Sequence, residues 1–190
     1  MSEIATPDQL RMSYWRWAMV TVPAILLIGT LTGGTAGGRW FDALVLPAIA
    51  PQDWVFRFVP PLLFVLEGLA LAMLIHARGA RGRRLALAVL GLQLAALLAW
   101  SPVFFGRHAV TAGLYVAVTG LLLTIAAIAL SFPIRRAAAW LLLPSLLWFG
   151  FLSLLNFQID QANPDAETLA PSAATTQIGI GKGPSPDEGL

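Results

Sequence analysis

The sequence predicts an all-α integral membrane protein, a bundle of five transmembrane helices. Three observations carry this. Of 190 residues 57% are hydrophobic and only 12% charged, whereas a soluble domain carries about 25% charged residues, and a chain this short cannot hide the apolar excess inside itself. The apolar residues fall in five runs of near-spanning length. The arginines gather in alternate connections between those runs. A soluble enzyme is excluded on composition.

A bilayer core of about 30 Å takes roughly 20 apolar residues as a helix. The first run, 17–32, is short and ends in Gly33, Gly34, Gly37 and Gly38. Arg11 and Arg16 precede it, as in a signal peptide, but Tyr14, Trp15 and Trp17 beside it read as the interface anchor of a retained helix. The second run, 54–75, is interrupted by Arg57, Pro60, Pro61 and Glu67. The third, 85–105, holds only Gln93 as a strongly polar side chain, the fourth, 109–132, is the cleanest, and the fifth spans 137–159. Backbone groups in lipid must be satisfied within the segment, so each run reads as a helix.

Residues 1–13 form an N-terminal segment and 14–160 the membrane domain. From Gln161 to 190 the composition turns to Pro, Ala, Ser, Thr and Gly, which reads as a disordered tail. The 33–57 connection is long for a bundle and contains Trp40, Phe41, Leu44, Leu46 and Trp54. It is expected to fold back as a lid. One side of the membrane receives Arg11, Arg16, Arg78, Arg81, Arg83, Arg84, Arg135 and Arg136; the other receives Arg39, Arg57, Arg107 and Lys182, diluted by Asp and Glu. The arginine-rich side stays cytoplasmic, which expects a bacterial inner-membrane protein with its N-terminus in the cytoplasm and its C-terminus in the periplasm. No nucleic acid is implied, because the basic residues follow the membrane edge.

Several polar positions invite a role. Glu67 inside a span is costly unless it is paired, protonated or facing a cavity. With Pro60 and Pro61 bending its helix, it reads equally as a polar pocket residue paired with Gln93 or Arg57, or as an interhelix or intersubunit hydrogen bond. Asn156 reads by default as a helix–helix bond. Gly91, Ala95 and Ala99 recur every four residues and present a small face for the close approach of another helix, from a second copy or from within the bundle. There is no cysteine, and the two histidines, His76 and His108, lie on separate segments, so no metal site is expected. No nucleophile triad, carboxylate pair or phosphate loop stands out, and no catalytic residue is assigned.

The order Trp40-Phe41, Pro47, Pro51, Trp54-Val55-Phe56, Gln93-Leu94, Trp100 to Gly106, Leu141 to Pro144, Trp148, Phe151, Leu155-Asn156 and Asn163 resembles the TspO/MBR family, the tryptophan-rich sensory proteins that include the mitochondrial translocator protein. The likeness covers roughly 14–163, with Gln93–Gly106 its most specific piece. It implies a receptor whose pocket binds porphyrins such as protoporphyrin IX or a heme-like ligand, and other flat apolar molecules, with no required cofactor. Carried over by position, the ligand-binding residues are Trp40, Phe41, Phe64, Trp100, Phe104, Trp148, Phe151, Leu152 and Asn156, with Glu67 and Gln93 as polar pocket residues. The family also implies a homodimer, through Gly91, Ala95 and Ala99. Its partners are membrane lipid, a hydrophobic small molecule and, on a second reading, another membrane protein.

The sequence departs from the pattern. Pro60 stands at the tryptophan position of the second helix, Leu97 at an asparagine and Leu152 at a small residue. Glu67-Gly68 replaces Met-Gly, and Pro144-Ser145 replaces Pro-Tyr. Phe157 is followed by Asp160 and Gln161 where the sterol-associated stretch ends in an arginine, so the sterol reading loses its basic anchor. Some bacterial members promote light-dependent porphyrin breakdown, attributed to tryptophans, one of which is Pro60 here. Binding therefore ranks above catalysis. The alternatives are an interaction subunit with a filled-in pocket, and a tetrapyrrole or lipid transporter.

Overall fold

The computed structural model describes residues 7–32 and 38–168. The tail beyond Thr168 and Gly33, Gly34 and Gly37 lie outside the described residues. The helices are α1 (Pro7–Thr32), α2 (Arg39–Asp42), α3 (Asp53–His76), α4 (Arg83–Ser101), α5 (Val110–Ser131), α6 (Arg136–Leu141) and α7 (Leu143–Ala162), with a π-helical turn (Pro102–Gly106) prolonging α4. Among the described residues five stretches are long and apolar enough to cross a membrane: Tyr14–Thr32, Asp53–His76, Arg83–Gly106, Val110–Ser131 and Arg136–Ala162. These coincide with the five runs to within a few residues.

Around the bundle, α1 packs on α3, α4 on α5, and α5 on α7, while α6 closes the ring against α3. Small residues set the close approaches. At Gly68 a side chain would meet the Val22 backbone 2.8 Å away, and there the Thr21 hydroxyl donates to the Gly68 carbonyl at 2.8 Å. At Gly120 an added Cβ would overlap the ring of Phe149, and at Gly29 the ring of Phe64. In lipid such contacts replace the hydrophobic drive that water would supply.

The turns follow local chemistry. Gly79 and Gly82 hold the connection from α3 to α4 at φ +82° and +80°, a region that glycine enters without a Cβ penalty. Arg83 then reaches back, donating from Nε to Leu74 O and from Nη2 to Ile75 O at 2.8 Å each, and so satisfies two orphan carbonyls at the end of α3. Pro60 and Pro61 remove the N–H groups that the carbonyls of Phe56 and Arg57 would accept. Pro144 likewise sits where the fifth span breaks into α6 and α7.

The helix that carries the first span, Tyr14–Thr32, itself starts at Pro7, which suits a first helical turn. One sequence expectation changes here. The tail does not begin at Gln161: α7 continues to Ala162, and Asn163 and Ala166 are buried. Apolar residues on the lid give this polar stretch something to pack on.

The glycines on α5 and α7 should respond differently to the same change. Gly120→Ala forces Phe149 aside and should cost about 1–3 kcal/mol through overpacking, whereas Gly150, whose added Cβ meets nothing within 4 Å, should tolerate alanine to within about 0.5 kcal/mol. Thermal unfolding of the two variants in one detergent checks this.

Candidate functional site

The end of the bundle opposite the arginine-rich turns is roofed by residues 38–52. Helix α2 places Trp40 and Phe41 side by side, both buried, and Leu44 follows. The roof is pinned by the end of α7. Asn163 accepts the Val45 N–H at 2.8 Å through Oδ1 and donates from Nδ2 to Val45 O at 3.0 Å and Ile159 O at 2.9 Å. Trp40 donates from Nε1 to Ala166 O at 2.9 Å and stacks on His108, with centroids 4.6 Å apart. The expected lid is thus present, and it is latched.

Beneath it lies a cluster of rings. The π turn makes this possible: its Arg107 N–H bonds Pro102 O at 3.1 Å, five residues back, and the widened coil turns consecutive residues Phe104 and Phe105 both inward, edge to face at 4.9 Å. Such turns recur at functional sites. Phe104 meets Trp40 at 5.6 Å and stacks on Trp100 at 5.1 Å. Phe56 touches Phe41, Trp100, Phe105 and Trp148, with centroids 5.6–6.1 Å apart. Each such pair contributes about 0.5–1.5 kcal/mol beyond area burial, so the roof is fixed to the floor by packing as well as hydrogen bonds.

A cavity of about 230 Å³ lies beside this cluster, lined by Gly29 and Thr30 of α1, by Phe56, Arg57, Pro60, Pro61 and Phe64 of α3, by Leu97, Leu98, Trp100 and Ser101 of α4, and by Trp148 of α7. Its floor (Phe64, Leu97, Trp100) is buried, and Thr30 and Arg57 at its rim are exposed. Of the sequence candidates, Phe64, Trp100 and Trp148 line it. Trp40, Phe41 and Phe104 belong to the plug above, and Phe151 packs on Trp148 at 5.5 Å. Leu152 and Asn156 are fully buried and outside the lining. Asn156 donates to Leu152 O of its own helix at 2.7 Å, and its Oδ1 stands 2.9 Å from where a Cβ on Gly113 would be.

Glu67 is fully buried one turn below Phe64. Its Oε1 accepts from Gln93 Nε2 at 2.9 Å and from Ser145 Oγ at 2.6 Å, while Oε2 and Gln93 Oε1 have no partner. Of the two pairings the sequence left open, Gln93 is realised and Arg57 is not. Arg57 stays at the cavity rim because its long side chain reaches water there at lower cost than a buried pairing. The triad ties α3, α4 and α7 together in the middle of the bundle, and two departures from the family pattern, Glu67 and Ser145, meet in it. Sequence reasoning missed Ser145, Phe105 and the latch at Ala166. Ser145 could have been found by asking what satisfies Glu67. Among the described residues no group of three or more His, Asp or Glu is arranged to hold a metal.

A family model described as TspO/MBR family matches residues 18–162. The chain belongs to the TspO/MBR family. It is 35% identical over 127 residues to the tryptophan-rich protein TspO of Chlorobaculum tepidum, covering 66% of this chain and 80% of that protein. It is 27% identical over 160 residues to protein CrtK of Rhodobacter capsulatus, covering 79% and 98%. With the translocator protein of Bos taurus it shares 34% over 134 residues, covering 67% and 76%. The five apolar helices and this membership make it an integral membrane protein, and the sequence reading of the family holds.

Two variants probe the site's supports. Asn163→Ala removes three hydrogen bonds, one of them from a backbone amide, and should lower the local stability of the lid by about 1–3 kcal/mol, read as faster hydrogen exchange at the Val45 amide with the helices still protected. Ser145→Ala should cost about 1–3 kcal/mol in a background that keeps Glu67 and close to nothing beside Glu67→Met, a coupling measured by a double-mutant cycle.

Proposed function

We propose that this protein is a membrane receptor for a flat, apolar ligand of the tetrapyrrole class, bound between α3, α4 and α7 under the 38–52 lid. The carrying observation is the cavity walled by Phe56, Phe64, Trp100 and Trp148, since apolar, aromatic walls with a few polar groups are what such a ligand needs. The sensory role named for a relative in Cereibacter sphaeroides, a tryptophan-rich sensory protein 32% identical over 125 residues, agrees with a binding rather than a catalytic reading.

At about 230 Å³ the closed cavity is smaller than the roughly 300–1,000 Å³ of typical ligand sites. Binding of a whole tetrapyrrole therefore requires the roof to move. The lid is the element suited to this: apart from its ring contacts it is joined to α7 by the Asn163 clamp and one indole hydrogen bond. Leu97 and Leu152, bulkier than the family pattern, favour the second reading, an interaction subunit whose pocket has filled in. Orientation follows the arginines, with the N-terminus cytoplasmic and the inner membrane as the site of insertion. A homodimer forms through Gly91, Ala95 and Ala99, which lie on the outer surface of α4; Ala95 and Ala99 line a groove with Tyr115, Val116 and Thr119.

In detergent and in the dark, protoporphyrin IX should quench tryptophan fluorescence saturably at micromolar concentration, and Trp148→Leu should weaken the binding about tenfold, the equivalent of some 1.4 kcal/mol. Absence of saturable quenching would overturn the receptor reading in favour of the interaction subunit.

A further inference from the structure

The lining of the cavity carries a chemical bias that its size and aromatic walls do not. Its one charged side chain is Arg57, exposed at the rim, and no Asp or Glu lines the cavity. Among the described residues Arg57 has no carboxylate partner. On the wall, Trp100 is buried and stacked between Phe56 and Phe104 at 6.0 and 5.1 Å, and its indole N–H finds no acceptor. An indole nitrogen is a donor only, and a buried donor without a partner is costly to leave so. The lining thus offers a cation at the mouth with no anion beside it, while the Trp100 N–H stays closed off within the ring cluster. The guanidinium is suited to a carboxylate, which it meets through two parallel N–H groups.

Resting on the receptor reading above, we infer that the cavity selects an apolar ligand carrying a carboxylate at one end, with the acid held at Arg57 and the apolar body against Phe64, Leu97 and the Trp100 ring. A neutral sterol would gain nothing from the guanidinium, and an amine would face a like charge. The preference comes from the acid rather than from the ring system, so it extends to a single-chain carboxylic acid slim enough for the closed cavity.

The test measures two matched pairs of ligands on the full-length protein in zwitterionic nanodiscs: protoporphyrin IX against its dimethyl ester, and cis-parinaric acid against its methyl ester. Each acid should bind about tenfold more tightly than its ester, the size of one charge-assisted hydrogen bond. Arg57→Gln should erase that preference while leaving ester affinity within about twofold, because the side chain is exposed and outside the ring cluster. Trp100→Phe should weaken acids and esters alike, since the indole ring walls the cavity for both. Equal affinity for acid and ester, a preference that survives Arg57→Gln, or no saturable binding of either acid each overturns the inference. If the porphyrin pair fails while the fatty acid pair shows the preference, the inference stands and the tetrapyrrole reading falls. If the porphyrins bind without preference, the tetrapyrrole reading stands and the inference falls.

Discussion

The absence of water from the bilayer core governs this structure. A backbone N–H or C=O there has no solvent to turn to, so every spanning segment closes its own hydrogen bonds as a helix, and each departure from a regular helix needs a local remedy. The remedies are visible: Arg83 on the last carbonyls of α3, and the π turn with its five-residue bond at Pro102. The same constraint acts on side chains. Glu67, Gln93 and Ser145 come from three helices and find one another because each alone would be stranded. Polar groups in this bundle consequently act as fasteners between helices, while glycine decides how close those helices come.

Much of this was legible beforehand. Five spans, their limits to within a few residues, and the folded-back lid follow from the lengths of apolar runs and from Trp40, Phe41 and Leu44 in a connection too apolar to stay in water. What was hidden depends on contacts between distant segments. Periodicity does not show that Asn163 reaches Val45, or that Ala166 supplies an acceptor to Trp40; a polar segment reads as a tail until the lid it covers is in place. The π turn was hidden for another reason. Its sequence, Pro-Val-Phe-Phe-Gly, is compatible with a plain helix end, and only the burial of both phenylalanines identifies the wider coil.

The candidate site was legible as a set of residues and much less so as a shape. Position along the chain brought Trp40, Phe41, Phe64, Trp100, Phe104 and Trp148 to one end of the bundle. Their division into a plug and a cavity wall comes from side-chain packing: Phe56 sits at the junction, touching both groups. Glu67 shows the reverse case. Its cost in a membrane was evident from sequence, but which partner relieves it depended on helix rotation, and the answer included a serine from the far end of the chain.

The latch at the end of α7 bears on time rather than affinity. On the receptor reading, a guest that enters only when the roof moves leaves no faster than the few hydrogen bonds and ring contacts of that roof let go. Its residence then depends on Asn163, a residue that need never touch it, as well as on its own contacts. A protein built this way keeps a record of a brief exposure for as long as the latch holds, and changes at the carboxyl end of the last helix would shorten or lengthen that memory.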